Sequence, residues 1–371
     1  MSRMLIGACA AITLLASGAQ AASPKMAASP KMAAPLIYRL DAAISLKGAR
    51  PAWDYLTFDA ARSYLFIGRR AAGITVYDVR RKRIVGAIAN AAGANIATLV
   101  PEFGRGYTAN DDGSTTVFDL ASLKTLRRIK LGEGADAAFY DPATRQLAFT
   151  MGDTQQLTFI DAKTAAVTGH VHLDAHEIEG VVPDGKGMLY VAERDRNRVA
   201  KVDARSRSVV AEWPVDKCEA PTGMAFDPVA QRLFVGCKGE HPVLSVLDVA
   251  DGRVVAQPEI GRGNDTVRFD PRARKVFTSN GVDGNIVIFD QLDADHYKLF
   301  QALTTRPIAR TMAIDPATRK LYTVTAQGMV DPSKPVNRKA APFYPNLYFD
   351  DTFVLLEYGL HPAPAAPAEV D

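Results

Sequence analysis

The sequence predicts an all-β fold, a seven-bladed β-propeller whose blade seven is closed by the N-terminal strand. Three observations predict it. The first is a phrase that recurs seven times, an apolar strand ending on an acid or a stand-in, a turn, and a second apolar strand. Its turn anchors are Asp59, Val100, Asp141, Asp184, Asp227, Asp270 and Asp315, spaced 41, 41, 43, 43, 43 and 45 residues apart, the period of a propeller blade. The second is the content of each unit, about four β-branched and aromatic strands between Asp, Gly and Pro turns, which suits a blade better than a solenoid coil. The third is the pair of chain ends. The last unit lacks a good fourth strand, and residues 37–47 (IYRLDAAISLK) resemble the fourth strands of other units. Supplying it from the N-terminus closes the ring and removes the exposed sheet edges that invite aggregation; a monomer is expected.

Taken in order, residues 1–21 read as an export signal: Arg3, an apolar run from Met4 to Ala16, and Ala19-Gln20-Ala21 as a small-residue cleavage site. Ile6-Gly7-Ala8-Cys9 loosely matches a lipobox, although most of the apolar run follows it. Residues 22–35 repeat ASPKMA and form a low-complexity tether. Residues 36–358 make the propeller as one domain, and the Pro/Ala-rich 359–371 is a disordered tail. A periplasmic or secreted location follows, and no later stretch has the length of a membrane span. A formal charge of +3 gives no strong case for nucleic acid. Arg80-Arg81-Lys82-Arg83 lacks interleaved aromatics and reads as a solvated turn.

Second strands end at Phe66-Ile67-Gly68-Arg69, Tyr107-Thr108-Ala109-Asn110, Ala148-Phe149-Thr150-Met151, Tyr190-Val191-Ala192-Glu193, Phe234-Val235-Gly236-Cys237, Phe277-Thr278-Ser279-Asn280 and Tyr322-Thr323-Val324-Thr325. Third strands close on Asp78, Asp119, Asp161, Asp203, Asp248, Asp290 and, latest, Glu357. Once the signal is removed only Cys218 and Cys237 remain. One lies in the loop entering blade five and the other ends that blade's second strand, so both finish at the same height. A disulfide is reasonable there in an oxidising compartment; a redox or metal pair is the alternative, without CxxC spacing or a nearby His pattern.

Five residues before each anchor stand Asp54, Asn95, Asp136, Glu179, Thr222, Asp265 and Arg310. Rotational repetition puts these on a ring at the mouth of the central channel, where they form a candidate ligand site. Four acids in one mouth repel, so a cation, a proton or an arginine has to compensate them. Arg310 supplies one charge. A divalent cation, Ca²⁺ foremost, would suit Asp54, Asn95, Glu179 and Asp265 as oxygen donors. The alternative is that each ring residue only clamps loop backbone. Arg70, Arg194, Lys238 and other second-strand ends form an outer circle on the same face. His176-Glu177-Ile178-Glu179 is the densest cluster there, and His176 and Glu179 are the candidate catalytic bases. The insertion 327–351 carries Lys334, Arg338, Lys339, Phe343, Tyr344 and Tyr348 and is either a lid over the mouth, holding an anionic or mixed-charge ligand, or a structural flap.

YTAN, FTSN and YVAE, with stretches such as PTGMAFDPVAQRLFVGC and DTVRFDPRARKVFTSN, resemble the YVTN-repeat, YncE-like family of exported seven-bladed propellers. The resemblance implies the fold over residues 37–358 and leaves function open among ligand binding, protein binding, lactone hydrolysis and quinoprotein-like electron transfer. Glu179, Asn95 and Asp265 could play the part of the metal-holding set of six-bladed lactonases, and Glu179, His176 and Arg310 loosely resemble the cluster of seven-bladed ones. With only Trp53 and Trp213, tryptophan-docking repeats are not evident. Three readings result: a non-catalytic propeller binding a small molecule or a protein on its top face, a metal-assisted lactonase, and a pure interaction scaffold.

Overall fold

The aspartate of each repeat builds the turn that follows it. Asp59 Oδ1 accepts the N–H of Ala61 at 3.0 Å, and Asp227, Asp270 and Asp315 accept those of Val229, Arg272 and Ala317 at 2.9 Å. These are Asx turns, for which a short carboxylate is the suited side chain. Four residues past the anchor the chain takes a left-handed φ of 50 to 59° at Ser63, Arg145, Gln231, Arg274 and Arg319. Where Val100 stands as anchor there is no carboxylate. Pro101–Phe103 then forms a 3-10 turn and Gly104 takes the left-handed position at φ 62°.

The computed structural model describes residues 34–48, 51–335 and 344–364. The export signal, residues 22–33 of the tether and the tail from 365 lie outside the described residues. Leu36–His361 is one compact unit of seven four-stranded antiparallel sheets. Blade one runs Leu56–Asp59, Tyr64–Gly68, Ile74–Asp78 and Arg83–Ile88, each strand paired to the next. Blades two to six repeat that order, their innermost strands being Ala94–Val100, Ala135–Asp141, Ile178–Pro183, Pro221–Asp227 and Asn264–Asp270. Blade seven is Met312–Ile314, Leu321–Thr325, Val354–Pro362 and, from the other end of the chain, Leu36–Ser45. Its third strand differs from expectation. It passes through Glu357 and beyond Tyr358 to Pro362, so Glu357 sits inside the sheet, buried and paired with Lys320.

The closing strand is held by packing as well as by its ladder. Tyr38 is fully buried and meets Phe277 of blade six edge-on, with centroids 5.8 Å apart at 82°. Elsewhere the blades pack face to face. Tyr107 of blade two lies among Leu147, Phe149 and Ile160 of blade three and donates its hydroxyl to the Ala162 carbonyl at 2.6 Å. Such burial stabilises by about 1.5–3 kcal/mol per large side chain. Blades four, five and six approach so closely that a Cβ on Gly180 would lie 2.4 Å from the Thr222 carbonyl oxygen, and one on Gly223 2.8 Å from the Val267 nitrogen.

Cys218 and Cys237 form a disulfide across a Cα–Cα distance of 5.2 Å, buried among Trp213, Met224 and Val235. It fastens the loop entering blade five to that blade's second strand. No helix among the described residues is long and apolar enough to cross a membrane.

Candidate functional site at the channel mouth

The ring residues enter the innermost strands, and the structure brings most of them together. Asp54, Asp136, Glu179, Asp265 and Arg310 line one cavity of about 1370 Å³, with His176 and Glu177 at its edge. Two ring members behave differently. Asn95 is buried behind the cavity wall, where its Nδ2 donates to Asp136 Oδ1 at 3.2 Å. Thr222 is fully buried and donates to the Ala220 carbonyl at 3.0 Å, the loop clamp that the alternative reading foresaw.

Charge compensation comes from second-strand ends. Arg310 bridges the ring, with Nε 2.5 Å from Asp265 Oδ2 and Nη2 3.7 Å from Asp54 Oδ2. Arg70 adds a 2.5 Å pair to Asp54, Lys238 pairs with Asp265, and Arg194 reaches Glu179 at 2.9 Å and Glu177 at 3.3 Å. Arg194 is placed by the 3-10 turn Arg194–Arg196. In that turn Asp195 accepts the N–H groups of His176 and Glu177 at 3.2 and 3.0 Å, fixing the entry loop of blade four. Burial raises Asp265, but Lys238 and Arg310 outweigh it and hold that carboxyl below its usual range. Burial likewise opposes the charge on Arg310, and Asp265 and Asp54 outweigh it, raising that guanidinium further.

Asp136 is the exception. Among the described residues its one side-chain hydrogen-bond partner is the neutral amide of Asn95, and it has no ion pair, Arg70 offsetting only part of the repulsion. Burial, then the charges of Asp54 and Glu179, push its carboxyl up to about 8. A proton therefore does there what Lys238 and Arg310 do at Asp265; at Asp54 burial outweighs Arg310 and Arg70, and that carboxyl is raised as well. Tyr55 completes the floor: it lines the cavity in the field of Asp136, Glu179, Asp54 and Asp265, which together with burial raise its hydroxyl well above the usual range. Four residues before the anchor, where Tyr55 stands, blades four and five carry Gly180 and Gly223, so nothing large opposes it.

Sequence reading placed the acids and Arg310 correctly on one mouth but left Arg70, Arg194 and Lys238 on an outer circle, and it missed Tyr55. The available signal was position: each cation follows directly on the end of a second strand. This pairing bears on the Ca²⁺ expectation. Asp54, Glu179 and Asp265 are engaged by guanidinium or ammonium groups and Asn95 by Asp136, whereas Ca²⁺ needs six to eight oxygens. Among the described residues no group of three or more His, Cys, Asp or Glu is arranged for a metal.

The insertion contributes aromatic groups to the mouth. A short ribbon of Gly328–Met329 and Leu347–Tyr348 seats Tyr348 on Trp53, ring centroids 5.0 Å apart. Tyr344 lines the cavity and its hydroxyl accepts a hydrogen bond from Arg310. Lys334 turns to Asp331 at 3.7 Å, and Arg338, Lys339 and Phe343 lie outside the described residues.

No family model matches the chain, and no curated protein matches it in sequence. In structure it is similar to a chain of the Kuenenia stuttgartiensis hydrazine synthase, with a TM-score of 0.65 and 15% identity over 75% of this chain and 94% of that one. It is also similar to a chain in a crystal structure of the mitotic checkpoint complex, with a TM-score of 0.69 and 13% identity over 84% and 95%. At these identities the likeness carries the fold alone, and that fold is the seven-bladed β-propeller.

Proposed function

We propose that the protein is an exported propeller of the YVTN-repeat type that binds, without turning over, a small ligand carrying a positive charge at the mouth of its channel. The observation that carries this reading is Asp136, the one ring carboxylate left without a cation. It stands in a cavity lined by eight carboxylates against five Lys and Arg side chains. An ammonium or similar group seated beside it would replace its proton and relieve the like-charge repulsion, while the aromatic faces of Tyr55 and Tyr344 suit a cation's apolar surroundings.

The absence of turnover is supported by the candidate bases. Glu179 is engaged by Arg194, and His176 Nδ1 by the Gln155 amide at 2.8 Å. Among the described residues no Ser, Thr or Cys lines the cavity, so a covalent nucleophile is not supplied there. Export is supported by the signal-like N-terminus and by a disulfide of the kind oxidising compartments maintain. A protein partner is the second reading, which the propeller fold accommodates.

Calorimetry on the mature protein with choline, spermidine and free amino acids tests the proposal. Saturable binding of a cationic probe that Asp136→Asn weakens supports it. Lactone or ester turnover lost in Glu179→Gln would replace it with the hydrolase, and stoichiometric Ca²⁺ lost in Asp265→Ala would restore the metal site. Binding of none of these would leave the scaffold.

A further inference from the structure

A different site emerges at the other end of the channel. Two residues before each anchor, six blades carry Thr57, Thr98, Phe139, Val182, Ala225 and Ala313, and blade six carries Arg268. Arg268 is thus the single guanidinium at this level of the repeat. Its Nη1 donates to the Val267 carbonyl at 3.1 Å, and among the described residues it has no carboxylate partner; the one ionisable neighbour that affects it is the Tyr55 hydroxyl. Arg268 lines a cavity of about 310 Å³ whose walls also include Leu56, Phe58, Phe269, Ala313 and Ile314.

The one carboxylate in that lining is engaged through Oδ1 and tied to Arg319, while its Oδ2 is buried without a hydrogen bond. Asp270 Oδ1 accepts the N–H groups of Arg272 and Ala273 at 2.9 and 3.1 Å, and Arg319 Nε lies 3.9 Å from its Oδ2. Arginine cannot shed its proton as a buried lysine can, so a guanidinium in such surroundings calls for an anion. Its forked donors match a carboxylate in two parallel hydrogen bonds. The apolar walls ask for a body that water does not solvate well, and the volume sits at the small end of ligand pockets, about 300 Å³.

We infer that this lower cavity is a second ligand site, taking a short-chain or single-ring organic carboxylate with its head on Arg268 and its apolar body against Leu56, Phe58 and Ile314. The site is a different cavity from the channel mouth, and the two meet at Tyr55, which lines the mouth and neighbours Arg268.

The test is calorimetry with hexanoate and benzoate, set against hexanol, benzyl alcohol and inorganic phosphate. The carboxylates are expected to bind, each alcohol at least about tenfold more weakly. Arg268→Met should abolish carboxylate binding with an unfolding midpoint unchanged or raised, since it removes a half-buried charge with no carboxylate partner among the described residues. Arg268→Lys, which keeps the charge but not the fork, should bind more weakly than the wild type. Ile314→Trp, at the cavity wall, should block hexanoate with Arg268 intact and gives an independent readout if the methionine variant does not fold. The inference is overturned if neither carboxylate binds, if Arg268→Met binds them unchanged, or if phosphate binds as well as they do. A markedly lower midpoint for Arg268→Met in the absence of ligand would also overturn it, by making the guanidinium a structural group.

Discussion

Replacing Asp136 by Asn swaps a carboxyl for a neutral amide of nearly the same shape, and the charge ring gives the consequence a sign and a size. In the unfolded chain Asp136 loses its proton near 3.8, whereas in the folded protein it keeps it until about pH 8. Between those values the native state binds one proton more than the unfolded state, so stability falls as pH rises. The stabilisation is fully present below 3.8 and lost as pH climbs through about 8. One proton corresponds to about 1.4 kcal/mol per pH unit, or about 2.7 kcal/mol between pH 5 and 7. Asparagine cannot ionise, so the variant lacks this slope. Urea unfolding of the oxidised protein at half-unit steps from pH 5 to 9 should therefore show Asp136→Asn gaining on the wild type by about 2.7 kcal/mol from pH 5 to 7. The gain should level off above about pH 8. Taking the difference between the two proteins cancels the titration of groups that do not interact with Asp136, leaving Asp136 and its electrostatic neighbour Asp54. A difference that stays constant from pH 5 to 7 would mean that Asp136 is ionised throughout, and the argument that a proton compensates the ring would fail.

Three further outcomes follow from the same structure. Arg310 joins Asp54 of blade one to Asp265 of blade six, so Arg310→Met should cost about 3–5 kcal/mol in urea unfolding by leaving buried carboxylates underpaired. Combining it with Asp265→Asn should recover part of that loss, and strict additivity would argue against the pairing. Cys218→Ser with Cys237→Ser opens a cross-link of sequence separation 19; the chain-entropy relation puts the loss at about 3 kcal/mol, checked by comparing denaturant midpoints with and without reductant, which should affect only the wild type. Tyr38→Ala removes the buried ring through which the N-terminal strand grips blade six and should cost about 3–5 kcal/mol, with hydrogen exchange rising first in Leu36–Ser45 and Val354–Pro362.

The sequence by itself determined the number of blades, the closing strand and the level of the ring. An Asp that folds its own turn recurs at nearly constant spacing, and rotational repetition converts equal sequence position into equal height around the channel. The same logic located the disulfide, because the two cysteines sit at ends of structure that finish on one face. What lies in register along a repeat is legible in one dimension. How side chains reach across the channel is not: the lengths and rotamers of Arg70, Arg194 and Lys238 decide which acids they meet, and that depends on neighbours some fifteen to twenty-seven residues away in the chain. That Asp136 is the ring acid without an ion pair and Arg268 a guanidinium without a carboxylate, among the described residues, emerges from the folded chain. Burial and pairing, which set both properties, belong to the closed ring and to no single repeat.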